Sequence, residues 1–385
     1  MNSKKILIIV FNTVKTDVRV LRQIETLKGK YSITLVSYGG KEIAGISTID
    51  IPKVKMTLVR KMLGVGFLLS RMYDQAYWQI YNYKNVIDKK LFRDFDLILA
   101  NDIETFPLAF EIQKLNGAKI LFDAHEYAIK QFENDRRWRI LFKGFNYYLS
   151  KSYIPLVDGM ITQNQLFADE FKNEFGVTPE IMTNAPEYSE IEPHRTDPDQ
   201  IKIIHHGIYN TTRKIEKLLK VITLLSDNYS LYLMLHLPAL SNDASKERFK
   251  LFLETARTTP GVYVLEPVDG NEVINAIKEY DIGIHILEPI NYNHAYSLPN
   301  KILEFAQARL AAVIGPSPGM VEVVNRYGFG VVADDFSAEK MADSIRQMSI
   351  EQIDQFKHKS DESAYELSSE KNKKVLLRIV ESMVG

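Results

Sequence analysis

Short, unbroken apolar runs alternate with segments of helical spacing along this chain, and that alternation leaves few folds open to it. Lys5–Phe11 is such a run. A strand covered on both faces of a parallel sheet needs this pattern, with no polar residue at every second place. Behind it, Val18, Leu21, Ile24 and Leu27 fall on one helical face. Further strands are expected at Tyr31–Ser37, Asp96–Ala100, Lys119–Phe122 and Gly159–Thr162, with helices at Pro107–Leu115 and Leu166–Phe175. Strands joined by helices require right-handed crossovers and give a doubly wound sheet.

The rhythm stops at 189–200, a polar stretch holding Pro193 and Pro198, which reads as a linker. It then restarts. Strands are expected at Ile201–His205, Tyr229–Leu235, Val262–Leu265, Asp281–Ile286, Ala311–Ile314 and Gly330–Val332. Helices are expected near 213–225, 243–257, 271–279, 300–308, 318–326 and 337–348, with a helical, charged tail over 350–384. With 385 residues, one core is too few. The expected fold is α/β: two doubly wound, Rossmann-like domains facing a central cleft. The first domain spans 1–188 and the second 189–364, with a C-terminal helix at about 365–385 packing back on the first. Ligands of open α/β sheets bind beyond the carboxyl ends of the strands, so function is sought in the loops that follow strands.

Composition removes several function classes. Formal net charge is −1, which suggests no nucleic-acid partner. The charge is uneven, with 26 Lys+Arg against 20 Asp+Glu in residues 1–185, and 22 against 29 in the rest. The first half either faces an anionic surface or substrate, or carries a modest asymmetry of no consequence. The absence of cysteine excludes disulfides, thiolate catalysis and cysteine-based zinc sites, and fits a reducing compartment. The run Ile6–Phe11 is too short for a signal peptide, and no stretch reaches a spanning helix. A cytoplasmic protein is expected, with peripheral attachment at the inner face of the plasma membrane left open. Two stretches bear on that point. Residues 56–93 carry Arg60, Lys61, Phe67, Arg71, Tyr73, Tyr77, Trp78, Tyr81, Tyr83 and Lys84; residues 136–148 carry Arg136, Arg137, Trp138, Arg139, Phe142, Phe145, Tyr147 and Tyr148. Both read as amphipathic helices, either lying on an anionic membrane or packed in a core with a basic rim.

Four segments have the residues and the position to carry chemistry. Tyr296, Ser297, Leu298, Pro299, Asn300, Lys301 and Glu304 span the entry to a helix. Ser297 suits an N-cap and Pro299 a first helical turn. A helix start offers unpaired N–H groups and a positive dipole end to a diphosphate, Lys301 adds charge, and Glu304 offers a carboxylate to ribose hydroxyls. Second, Gly207 lets backbone approach a phosphate, and Arg213, expected to open the next helix, can make forked bonds to its oxygens. Third, His125 and Glu126 directly follow a strand, where a histidine can bond a sugar hydroxyl or move a proton. Fourth, Asp17 and Arg19 flank a helix start in the loop after the first strand. That loop has no GxGxxG, which disfavours an NAD-dependent enzyme.

In order and spacing these pieces resemble the GT-B glycosyltransferases, in particular the retaining family 4. The resemblance rests on Asp17-Val18-Arg19-Val20, Asp123-Ala124-His125-Glu126, Asn184-Ala185-Pro186, Gly207 with Arg213, and the donor helix bearing Glu304. It covers almost the whole chain. It implies a metal-independent hexosyl- or related glycosyltransferase without a cofactor. A nucleotide-diphosphate sugar, UDP-linked, would be the donor, and a glycan or lipid-linked molecule of cell-surface polysaccharide synthesis the acceptor. It further implies that Arg213 and Lys301 stabilise the leaving diphosphate, that His125 contacts the donor sugar, and that Asp17, Arg19, Asp102 and Glu126 serve the acceptor. Tyr296 stands where the family commonly has a glutamate. A nucleotide-sugar epimerase of the same fold, or a catalytically silent nucleotide-sugar-binding subunit, remains the alternative.

Overall fold

The computed structural model describes residues 3–14, 17–39, 43–51, 56–81, 89–238 and 240–385. Tyr83 and Lys84 lie outside the described residues. The chain divides into two compact units: Met1–Thr183 with Asn291–Asn293 and Asn372–Gly385, and Asn184–Ile290 with His294–Lys371.

Unit 1 holds seven strands: β1 (Lys5–Ile9), β2 (Ser32–Ser37), β3 (Ser47–Asp50), β4 (Leu97–Asn101), β5 (Lys119–Ala124), β6 (Gly159–Thr162) and β7 (Glu180–Ile181). Their order is β3-β2-β1-β4-β5-β6-β7, and every pair is parallel. The central strands are the apolar runs: β4 is buried throughout, as is β5 after Lys119. β3 and β7 are short, half-buried edges without an apolar run, which is why the pattern of the sequence passes over them. The closing helix Ser369–Val384 belongs partly to this unit. Its Leu376, Ile379, Val380 and Met383 share one core with Ile6, Ile8, Leu97 and Leu121.

Unit 2 holds six strands: β8 (Ile201–Ile208), β9 (Tyr229–His236), β10 (Val262–Leu265), β11 (Ile282–His285), β12 (Ala311–Ile314) and β13 (Gly330–Val332). The order is β10-β9-β8-β11-β12-β13, again all parallel. The polar stretch 189–200 contains no regular element and is tied down onto this unit. Thr196 N–H donates to Asp354 (2.9 Å), and His194 Nε2 lies 3.1 Å from Asp281 Oδ1. Asp281 also pairs with the buried ammonium of Lys357 at 3.0 Å. Burial would raise its carboxyl, but the bonds from His194 and from Lys202 N–H and the Lys357 charge outweigh it and hold the pKa below the usual range.

The aromatic and basic stretches are helical: Leu58–Leu69 and Tyr73–Tyr81 in the first, Arg136–Leu141 and Lys143–Tyr153 in the second. Among the described residues no helix is long and apolar enough to cross a membrane.

Candidate active site

Each sheet reverses its winding at one place, between β1 and β4 in unit 1 and between β8 and β11 in unit 2. Loops leaving neighbouring strands there run to opposite faces, which opens a crevice at the carboxyl edge. The candidate residues gather at these two edges, each within its own unit.

In unit 2, β8 ends on His205, His206 and Gly207. Gly207 has φ +103°, and a Cβ there would lie 2.7 Å from Lys301 Nζ. The Lys301 ammonium is thus lodged against bare backbone, in a place only glycine leaves open. Lys301 is 8% exposed. Burial, then the Arg213 charge, pushes its pKa down to about 8, against the opposing pull of Glu304. Burial also lowers the pKa of Arg213. Arg213 is half-buried and Lys301 buried; two such cations that repel each other favour an anion beside them.

Arg213 does not open a helix as expected. It ends a single 3-10 turn, Thr211–Arg213, and the helix Lys217–Thr223 starts later. Lys214 takes a left-handed backbone (φ +51°), which separates the turn from the helix. The ammonium groups of Lys214 and Lys217 both hold Glu288, at 2.7 and 2.9 Å, which fixes this loop to the one after β11.

The helix Asn300–Gln307 carries Lys301 and Glu304. Ser297 is not its N-cap: Pro299 occupies that position, with no side-chain cap. The reason is Pro299, which keeps the preceding Leu298 out of the helical region, so the helix cannot begin at the serine; Leu298 is buried with Ile302, Phe305 and Met320. Asn300 accepts from Asn184 Nδ2 at 3.2 Å. Tyr296 ends a separate short helix, Tyr292–Tyr296. The backbone at Tyr296 and Ser297 is gripped by Gly319, where a Cβ would come within 2.3 Å of Ser297 O and 2.5 Å of Tyr296 O. Gly319 lies in the first turn of the helix Pro318–Tyr327, whose N-cap, Ser317, donates its hydroxyl to Leu287 O.

Three buried histidines underlie the two cations. His205 Nδ1 lies 2.8 Å from Ile284 O; a carbonyl only accepts, so this nitrogen carries the proton. Its pKa is pushed down to about 3 by burial and by Lys301. His285 stacks on His205 at 5.5 Å between ring centroids, and His285 Nδ1 is buried without a hydrogen-bond partner. His206 Nε2 is likewise buried and unpartnered, 3.4 Å from Glu304 Oε2. Burial, then the Lys301 charge, keeps both His206 and His285 neutral. The charge here therefore comes from Arg213 and Lys301. No family signature points to these histidines; the only sign of them was two polar residues at the end of an apolar strand.

In unit 1, His125 follows β5 with acceptors on both sides of its ring. Nδ1 lies 3.3 Å from Asp102 Oδ2, and Nε2 lies 3.2 Å from Asn101 Oδ1 and 3.7 Å from Asp123 Oδ2. Asp102 also accepts from His125 N–H at 3.2 Å. Asp102 has φ +63° and ψ 158°, a conformation that costs a non-glycine residue about 1–3 kcal/mol and recurs at functional sites. Around it lie more acids. Burial, then the Asp102 charge, pushes Glu104 up to about 8. Burial also raises Glu126, which accepts from Asn293 Nδ2 at 3.1 Å. Glu104 stands on the single 3-10 turn Ile103–Thr105, and a lone acid there carries no sequence pattern of its own.

Arg19 and Asp17 have other partners. Arg19 is buried: its Nε donates to Asp123 at 2.7 Å, a second donor also reaches Asp123, and Nη1 donates to Met182 O at 3.0 Å. Each nitrogen of this guanidinium has a protein acceptor and the side chain is buried, so Arg19 braces Asp123 from beneath the carboxyl edge. Asp17 caps the helix Val18–Leu27, accepting from Val20 N–H at 3.1 Å. Among the described residues no group of three or more His, Asp or Glu is placed to hold a metal ion.

Two parallel sheets of this order, each with its residues at the carboxyl edge, define the GT-B class of fold. Solved structures share it along the whole chain. Sucrose-phosphate synthase from Thermosynechococcus elongatus matches with a TM-score of 0.69 at 11% identity, covering 99% of each chain. A glycosyltransferase from Rickettsia africae matches with a TM-score of 0.68 at 13% identity, covering 100% of this chain and 99% of its own. A UDP-forming α,α-trehalose-phosphate synthase from Burkholderia xenovorans matches with a TM-score of 0.64 at 12% identity, covering 100% of both. No protein-family model and no curated protein sequence matches the chain.

Proposed function

We propose that this protein is a retaining, family-4-like glycosyltransferase that moves a hexosyl or related group from a UDP-linked sugar to a glycan or lipid-linked acceptor. The observation that carries this reading is the pairing of Lys301 with Arg213 beside Gly207, at the start of the helix that bears Glu304. A diphosphate brings the two cations more negative charge than Glu304 alone supplies, and the adjacent ribose brings hydroxyls to the Glu304 carboxylate. The UDP-forming activity named for one structural neighbour supports the choice of UDP.

In the reaction the bond from the anomeric carbon to the diphosphate breaks and a bond to the acceptor oxygen forms on the same face. The acceptor's proton leaves with the diphosphate. Negative charge grows on that leaving group, and fixed cations in a dry site stabilise it at no cost in reorganisation. Arg213 and Lys301 supply this charge, so no metal and no cofactor is required. The acceptor is read at the carboxyl edge of unit 1, by Asp102 and Glu126, while His125, which Asp102 accepts from, keeps the donor-sugar role that the family resemblance implies. The setting is the assembly of cell-surface polysaccharide from the cytoplasmic side.

The experiment is release of UDP, or of another nucleoside diphosphate, from a panel of nucleotide sugars by the purified chain, with and without EDTA. Turnover is expected with at least one UDP-sugar, unchanged by EDTA, with the α or β configuration of the donor kept in the product. Tight nucleotide binding without turnover favours the silent subunit, and interconversion of donor sugars favours an epimerase.

A further inference from the structure

The helix Leu58–Leu69 turns its apolar face outward. Leu58, Met62, Val65 and Leu69 recur every three or four residues and so share one side, where they are 74%, 67%, 39% and 58% exposed. Its buried side is Gly64 and Leu68, with Gly64 facing Ile80 of the next helix. Single exposed leucines are ordinary, but a continuous stripe of them marks a surface that something covers.

Where the stripe ends, beside Leu69, a cavity of about 550 Å³ opens, with Arg71, Arg139 and Lys151 in its wall beside Tyr147 and Tyr148. None of these three cations forms an ion pair with a carboxylate among the described residues. Arg139 donates to Glu133 O at 2.6 Å, and Lys151 lies 5.8 Å from the centre of the Tyr147 ring. The nearby carboxylate, Asp74, already accepts from Tyr148 at 2.9 Å. Arg71 takes a left-handed backbone (φ +58°).

We infer that this face of unit 1 docks on an anionic phospholipid bilayer, with the stripe entering the acyl boundary and the cavity seating a lipid phosphate between Arg71, Arg139 and Lys151. The charge complementarity selects the occupant. An interfacial helix buries its apolar side about 5–10 Å below the headgroups. A cationic pocket at the end of such a stripe then lies at the level of the phosphates. A convex apolar helix edge also fits a bilayer better than it fits a peptide, which needs a groove. The inference is independent of the transfer reaction.

It is tested by co-sedimentation of the whole protein with phosphatidylcholine vesicles, with and without about 30 mol% phosphatidylglycerol, near physiological salt. Binding is expected only to the anionic vesicles. Arg139→Gln with Lys151→Ala should weaken it about twenty-fivefold, at about fivefold per cation. Arg136→Gln with Arg137→Gln removes the same charge outside the cavity wall and should weaken it by roughly threefold or less. Met62→Glu with Leu69→Glu should abolish it. Unchanged thermal melting of each variant separates lost docking from lost folding. Equal losses from the two basic pairs, equal binding to neutral vesicles, or no binding to either would overturn the inference. So would saturable binding of glycerol phosphate by a protein that ignores vesicles.

Discussion

Lys301, the cation proposed to hold the diphosphate, sits where it costs the fold stability. A buried ammonium beside Arg213 loses solvation and gains repulsion, so its proton is held only up to about pH 8. The unfolded chain holds the same proton to the ordinary lysine value near 10.5. Between these two values the unfolded state binds more protons, so stability rises with pH through this window. Below it, the charge is present in both states and weighs on the folded one. Lys301→Met is therefore expected to raise stability at pH 7 by about 1–3 kcal/mol, and to remove the rise between about pH 8 and 10.5. Denaturant titrations across that range check it. The same variant should raise the donor KM at least about tenfold, since a diphosphate pulls the Lys301 pKa back up and stabilises the charged form. Arg19 makes the opposite point. Its sequence context, beside a helix start, reads as accessible. Its partner Asp123 lies 104 residues away at the end of β5, and nothing local announces that pairing.

At the scale of elements, the strands legible in the sequence are those with a continuous apolar run. Gly159–Thr162, Val262–Leu265, Ala311–Ile314 and Gly330–Val332 form where such runs place them, two of them at the edges of the second sheet. β3 and β7 escape notice because they are short and carry no apolar run. The helix Asn300–Gln307 is legible in position but not in its cap: Pro299 keeps Leu298 out of the helical region, so Ser297 cannot cap it. That segment depends on a second element. Gly319, at the start of the helix Pro318–Tyr327, touches the carbonyls of Tyr296 and Ser297 where no Cβ fits. Gly319→Ala must push the two segments apart. A loss of stability of about 1–3 kcal/mol is expected, as for other overpacked sites, with a donor KM raised more than kcat is lowered. Steady-state kinetics beside a denaturation curve measure both. An unchanged KM would mean that the 296–298 segment does not shape the donor site.

At the scale of the whole molecule, alternation of strand and helix in two series is enough to specify two parallel sheets; their strand orders, alike except for the added edge β7 in unit 1, are seen only in the structure. Nothing in the sequence marks the return of Asn291–Asn293 to unit 1, held by contacts such as Asn293 with Glu126. The end of the chain, where a helix packing back on the first domain is expected, also groups with unit 1, with Val380 in the β1 core. Division of labour follows from the contents of each unit: paired cations and neutral histidines in unit 2, a histidine among carboxyl groups in unit 1. The claim on which the rest depends is that the paired cations of unit 2 hold a nucleoside diphosphate. Isothermal titration of UDP into the protein and into Arg213→Ala addresses it directly. Saturable binding is expected for the unaltered protein, weakened by at least about thirtyfold in the variant, whose melting temperature stays close to that of the parent; a charge-assisted contact of about 2 kcal/mol or more is at stake. Equal affinity in the two proteins, or no binding of any nucleoside diphosphate, would contradict it.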